Sequence, residues 1–274
     1  MARRLPDCFQ NVNRFSEGVP YARHVNDLLT STGSRPAPER ALLVVAHPDD
    51  IDFGAAGTVA ALTSAGTEVA YCLVTSGDAG SDHLPIGTDE LVALREREQT
   101  EAAAVVGVPA ECITFLRHPD GLVEPTPALR CDITAAIRRH RPDVVIAQSP
   151  DRLYSRIFAS HPDHLAAGEA TLCAVYPDAR NPFTFTDIGL DAWTVREIWY
   201  SGGPDPDHFV DITDVFDRKR AAMECMQAQE HLWRYYTELA QRRGTQAVRN
   251  GGRKTIRYAE AFQRVYPFVT GVLL

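Results

Sequence analysis

Four short apolar runs, spaced by helical segments, constrain the fold of this chain most. Ala41-Leu-Leu-Val-Val-Ala46 is continuously apolar, of strand length, and bounded by polar residues and proline. That is the pattern of a strand covered on both faces rather than one with a wet side. Val69–Thr75, Ile113–Leu116 and Val144–Ala147 repeat it. Between them the spacing predicts helices over Gly54–Ala65, from a Thr88 cap to Gly107, and over a stretch opened by Thr126-Pro127 and closed by Pro142. Strands alternating with helices make a βαβ series. The expected fold is therefore α/β: a Rossmann-like, mostly parallel sheet with helices on both faces. A mixed C-terminal extension follows, read as helical over Asp214–Gln229, Leu232–Arg242 and Tyr258–Arg264, with a loop at Arg249–Lys254. Residues 1–39 read as a lead-in and 40–274 as one domain.

In an open sheet of this kind ligands sit beyond the carboxyl ends of the strands. Leaving the first long strand there is Ala46-His47-Pro48-Asp49-Asp50-Ile51-Asp52, and beyond the strand at 144–147 comes Ser160-His161-Pro162-Asp163-His164. Two clusters of histidine and carboxylate thus leave one sheet edge. His47 and Asp50 can chelate from one tight loop, and His164 on the first turn of a helix completes a His2Asp set. Such a set suits zinc, which in catalytic sites keeps one position for water. Asp49 is placed to take a proton beside the metal. His161, about one helical turn from His164, can stabilise an oxyanion or donate a proton. Asp163 can orient an imidazole from behind. Taken singly, His-Pro-Asp is a common turn, and His118-Pro119-Asp120-Gly121 carries the same letters. The convergence of two clusters favours chemistry.

Composition narrows the classes. With 36 acidic residues against 28 Lys and Arg, the charge of −8 opposes a nucleic-acid binder that relies on phosphate neutralisation. No apolar run approaches the roughly 20 residues of a spanning helix. The Met1-Ala-Arg-Arg start carries no signal-peptide core, and the scattered cysteines read as reduced thiols. A cytoplasmic protein without nucleic-acid or membrane partners is expected; a homo-oligomer is compatible with the sequence. A dinucleotide-binding oxidoreductase is disfavoured, because only Gly54-Ala-Ala-Gly57 follows the first strand.

At these residues the chain resembles the PIG-L/LmbE-like family of zinc-dependent de-N-acetylases. The resemblance runs from about Ala41 onward. It includes Leu94-Arg95 with Glu98, Asp120-Gly121, Pro142-Asp143-Val144-Val145, Val210-Asp211-Ile212-Thr213 and Tyr258-Ala259-Glu260-Ala261-Phe262. It implies one zinc per chain, with another divalent metal as the alternative, on His47, Asp50 and His164. Asp49 would be the general base and His161 the group stabilising the tetrahedral intermediate. Arg95 and Asp120 match positions that help hold the sugar. The acidic position after the core, often Glu, is Asp52 here, grouped with Asp163 as support behind the ligands. Where some members carry a tyrosine before the second motif, this chain has Ala159-Ser160, with Tyr154 upstream. The implied activity is hydrolysis of an N-acetyl or N-acyl amide on a small amino sugar or glycoconjugate. The alternatives are an amidase cleaving a mycothiol-type thiol conjugate and a non-catalytic sugar-binding protein.

Overall fold

The computed structural model describes residues 27–30, 33–80 and 85–268. The chain runs β1 (Asp27–Thr30), β2 (Gly33–Pro36), β3 (Arg40–Val45), α1 (Asp50–Gly54), α2 (Ala56–Ser64), β4 (Glu68–Thr75), α3 (Thr88–Val105) and β5 (Ile113–His118). It continues α4 (Pro127–His140), β6 (Val144–Gln148), α5 (Pro162–Cys173), β7 (Glu197–Ser201), β8 (His208–Asp211), α6 (Phe216–Cys225), α7 (Trp233–Arg249) and β9 (Ala259–Val265). The strands form a single sheet in the order β2-β1-β8-β9-β7-β6-β3-β4-β5.

The apolar runs become its parallel half. β5, β4, β3, β6 and β7 pair in parallel, and β3, β4 and β6 are buried almost end to end. α4 and α5 pack together on one face, while α2, α3 and α6 form the other layer. From β3 the chain moves outward to β4 and β5, then crosses back to place β6 on β3's other side. A crevice therefore opens between the carboxyl ends of β3 and β6, the switch point where such folds bind ligands.

The other half is antiparallel and corrects part of the sequence reading. The stretch Tyr258–Arg264, expected as helix, instead falls almost wholly in β9 (Ala259–Val265), which fills the slot between β7 and β8. Ala-Glu-Ala-Phe-Gln-Arg-Val has ordinary helical propensity, but two unpaired strand edges offer its backbone a hydrogen-bonded ladder on both sides, and pairing outweighs propensity. β1 and β2, within the stretch read as a lead-in, form an antiparallel hairpin at the sheet edge, and β1 pairs with β8. α6 ends at Cys225 and α7 runs on to Arg249. Thr88 is the first residue of α3 rather than its cap; Gly87 occupies that position without a side-chain bond. Thr126 caps α4 as expected, accepting from Leu129 N.

The helix expected from Gly54 begins instead at Asp50 and breaks at Ala55, splitting into α1 and α2. Remote side chains cover the break. Glu260 of β9 accepts from Gly57 N (3.1 Å) and Thr58 N (2.7 Å), standing in for a missing cap on α2. Lys219 of α6 donates to Asp52 O, Phe53 O and Glu260 Oε1 at 3.1, 2.8 and 2.6 Å. Both side chains are buried. Cys72, Cys112, Cys131, Cys173 and Cys225 are free thiols, and Cys8 lies outside the described residues. No helix among the described residues is long and apolar enough to cross a membrane.

Candidate metal centre and active site

The loop leaving β3 closes on itself. His47 N donates to Asp50 Oδ2 at 2.7 Å, so the two side chains emerge together at the crevice. The turn requires Asp49 to adopt φ +97°, a conformation that costs a residue with a Cβ. Two contacts from α3 hold it there. Gln99 Oε1 accepts from Asp49 N at 3.0 Å, and Arg95 Nη2 donates to Asp49 Oδ2 at 2.8 Å and to Pro48 O.

The second cluster is organised by the start of α5. Pro162 occupies the first turn and His161 is the cap, its Nδ1 accepting from Asp163 N at 3.2 Å. That turn carries His164 to the crevice, where its Nε2 lies 3.1 Å from Asp50 Oδ1 and 3.2 Å from His47 Nδ1. His47, Asp50 and His164 each offer a ligand atom, all within 4.8 Å of one another. His47, His161 and Asp163 meet the same distance criterion. Asp163, however, is buried and already accepts from Gly121 N (2.7 Å) and Val123 N (3.3 Å). It stands behind His47, whose Nε2 is 3.3 Å from Asp163 Oδ2 and 3.0 Å from Asp120 Oδ1. With Nε2 facing those carboxylates, Nδ1 faces Asp50 and His164, the tautomer control common behind metal-ligating histidines.

Burial lowers the His47 imidazole, but hydrogen bonds to Asp120, Asp163 and Asp50 outweigh it and push it up to about 12. Burial raises Asp49 to about 6, with Asp50 adding to the rise and Arg95 opposing it. Burial would raise Asp50 too, yet His164 and His47 hold it well below the usual carboxylate range. Four carboxylates, Asp49, Asp50, Asp120 and Asp163, stand among three imidazoles here, with Arg95 paired to Asp49. Mixed nitrogen and oxygen donors with surplus negative charge fit a borderline divalent cation.

Other expected residues sit as follows. Arg95, matched to a sugar-holding position, is 2 % exposed and contacts Asp49 and Pro48 as described. Asp120, besides meeting His47, accepts from Ala79 N at 3.2 Å. His161 is exposed at the crevice mouth, its ring centroid 5.1 Å from that of His47. Asp52 is buried, accepting from Gln99 Nε2 at 3.0 Å. Tyr154 is 85 % exposed.

Sequence reasoning missed Gln99, which ties Asp49 to Asp52, and Gln148, whose Oε1 accepts from Ala46 N at 2.9 Å. It also missed the Lys219–Glu260 pair; Glu260 stood within a family-like stretch and was the one available signal. A cavity of about 130 Å³ opens beside Asp50 and His164, walled by Phe53, Tyr235, Tyr236 and Arg243. Phe53 and Tyr236 stack with centroids 4.7 Å apart. Of the aromatics of the C-terminal third, Phe262 is in the core and Trp233, Tyr236 and Tyr258 pack against it, while Tyr235 and Tyr236 line the cleft.

Comparison with known proteins gives this arrangement a context. The sequence model of PIG-L, described as GlcNAc-PI de-N-acetylase, matches residues 42–175. Diacetylchitobiose deacetylase of Thermococcus kodakarensis is 30% identical, over 86% of this chain and 85% of its own length. 4-Oxalmesaconate hydratase of Pseudomonas putida is 29% identical, over 85% of this chain and 92% of its own. Among solved structures, N,N'-diacetylchitobiose deacetylase from Pyrococcus horikoshii superposes with a TM-score of 0.74 at 28% identity, covering 84% of this chain and 85% of that one.

Proposed function

The chain belongs to the GlcNAc-PI de-N-acetylase (PIG-L) family, and on that premise we propose that it is a metal-dependent amide hydrolase removing an N-acetyl group from a small amino-sugar compound. The observation that carries the reading is the meeting of His47, Asp50 and His164 at the β3/β6 crevice, with Asp49 beside them and a cleft in front. Zinc, one per chain, is the cation we assign to those three residues. A divalent cation there would polarise the acetyl carbonyl and lower the pKa of water.

The chain's own groups supply the rest. Asp49 receives the proton of the water that attacks the amide carbon; Arg95 fixes its carboxylate, and the bond from its N–H to Gln99 fixes its backbone. His161, at the crevice mouth, is the donor for the developing oxyanion. Asp120 and Asp163 keep His47 in one tautomer. As the C–N bond breaks, the amine leaves with a proton from Asp49 or His161, and acetate is the other product. An amide is a poor electrophile with a poor leaving group, so assistance at both ends is required. We read residues 40–274 as the unit that carries this chemistry.

A second reading has a specific basis in the hydratase relative. Adding water across a conjugated double bond needs the same held water and the same base. Acetate release from N,N'-diacetylchitobiose and N-acetylglucosaminyl compounds by the zinc-loaded protein, lost in Asp49→Asn, is the expected result. Bleaching of 4-carboxy-2-hydroxymuconate, a conjugated tricarboxylate, with no acetate released from any N-acetyl compound would transfer the assignment to the hydratase reading.

A further inference from the structure

β6 ends on a side chain that turns one polar atom onto the protein and the other away from it. Gln148 closes the strand, and its Oε1 accepts from Ala46 N, in the residue before His47, at 2.9 Å. A backbone N–H can only donate, so the oxygen of the Gln148 amide must face Ala46 and the nitrogen must face away. Gln148 lines the cavity of about 130 Å³ together with Asp50 and His164, and it is only 7 % exposed. Among the described residues its Nε2 has no hydrogen-bond partner. A nearly buried side chain thus brings two N–H donors to the inner end of the cavity.

The surroundings limit what such a donor can meet. Lys219 lines the same cavity, but its three N–H groups are taken by Asp52 O, Phe53 O and Glu260 Oε1. Glu260 is taken in turn by Gly57 N, Thr58 N and Lys219. The Gln148 amide nitrogen is uncharged and suits a neutral oxygen. Asp49 and His161 lie outside the lining of this cavity, so the carbon under attack stays at the crevice and a neighbouring part of the molecule occupies the cavity. The acetyl group has one oxygen, and it becomes the oxyanion served by His161. Its methyl group, placed in the cavity, would leave the Gln148 N–H groups desolvated and unpaired. The acceptors that remain in an N-acetyl amino sugar are its hydroxyls, the nearest on the carbon next to the one that bears the nitrogen.

We propose that Gln148 is a specificity-determining residue whose Nε2 donates to a hydroxyl of the amino sugar, seated in the cavity beside Asp50 and His164. The proposal rests on the deacetylase reading. Its test uses the zinc-loaded full chain, Gln148→Met and Gln148→Glu, with N,N'-diacetylchitobiose and its monodeoxy forms, each lacking one free hydroxyl of the ring that loses acetate. Acetate release gives kcat/KM, and calorimetry gives binding. The parent should disfavour one deoxy form about 5- to 100-fold, the effect of leaving a buried donor unpaired. Gln148→Met, similar in size but without a donor, should treat that form and the full sugar within about twofold of each other. Its loss of the Ala46 bond weakens all compounds alike and cancels in the ratio. Gln148→Glu keeps an oxygen on Ala46 N and offers another to which the hydroxyl can turn its proton, so the preference should survive there. A parent that treats all deoxy forms alike overturns the proposal, whatever the variants do. So does a preference that Gln148→Met leaves unchanged, or one that Gln148→Glu loses equally. The deacetylase reading fails separately, if the parent releases acetate from none of these compounds. The same ratios taken from binding then decide the role of Gln148, and binding of none of them overturns it as well.

Discussion

Replacing Gly168 with alanine should weaken metal binding from a position that touches no ligand. Gly168 lies one turn beyond His164 on α5, where the helix crosses the end of β6. A Cβ there would sit 2.5 Å from Gln148 O, 2.9 Å from Pro150 N and 3.1 Å from Ser149 C, all backbone atoms. The first approach falls short of ordinary 3.4 Å contact by about 0.9 Å. Backbone yields little, so α5 must retreat by much of that distance and carry His164 with it. Metal–ligand distances tolerate only about 0.2 Å. The expected result is about 10- to 100-fold weaker zinc binding, with about 1–3 kcal/mol of lost stability from overpacking. Competition against a chromophoric chelator reads the affinity, and urea unfolding in excess chelator reads the stability. Gly57→Ala is the control: it meets the Ile212 side chain at 2.6 Å and disturbs α2 instead. The reasoning fails if Gly168→Ala is destabilised yet binds zinc within twofold of the parent. It fails equally if Gly57→Ala loses metal as severely.

Two further outcomes concern buried charge. Lys219→Met leaves Glu260 buried and charged without its ion-pair partner, held only by the Gly57 and Thr58 N–H groups, so urea unfolding should show a loss of about 3–5 kcal/mol; adding Glu260→Gln should recover part of it. His208, 5 % exposed in β8 against Trp199, is held by burial and by Arg264 and Arg35 down to about 4. The unfolded chain takes that proton first, near pH 6.5. Stability is therefore full above 6.5 and falls by about 3 kcal/mol as pH drops through 4; His208→Leu should flatten this window in urea midpoints taken from pH 7 to 4.

The parallel half of the sheet was legible because its strands are buried on both faces and announce themselves as unbroken apolar runs. The meeting of His47, Asp50 and His164 was legible for a related reason: parallel topology sends both loops to the same edge. What escaped reading depends on partners far away in the chain. Glu260 caps a helix 203 residues earlier, and Lys219 bridges elements that sequence does not place together. Asp49 draws its support from Arg95 and Gln99 on α3, which by spacing alone are ordinary helix residues. β9 escaped because its strand state comes from the slot it fills.

That slot bears on how the molecule is made. Among the described residues β9 is the last strand, yet it lies inside the sheet, between β7 and β8. A ribosome releases the loops that carry His47, Asp50 and His164 before the strand that buttresses α2. Until β9 arrives, β7 and β8 each expose an unpaired edge, and β8 with β1 and β2 has no attachment to the parallel half through the sheet. The sheet is therefore complete only once β9 has paired, and the interval before that is when the protein is most open to strand capture by a neighbour.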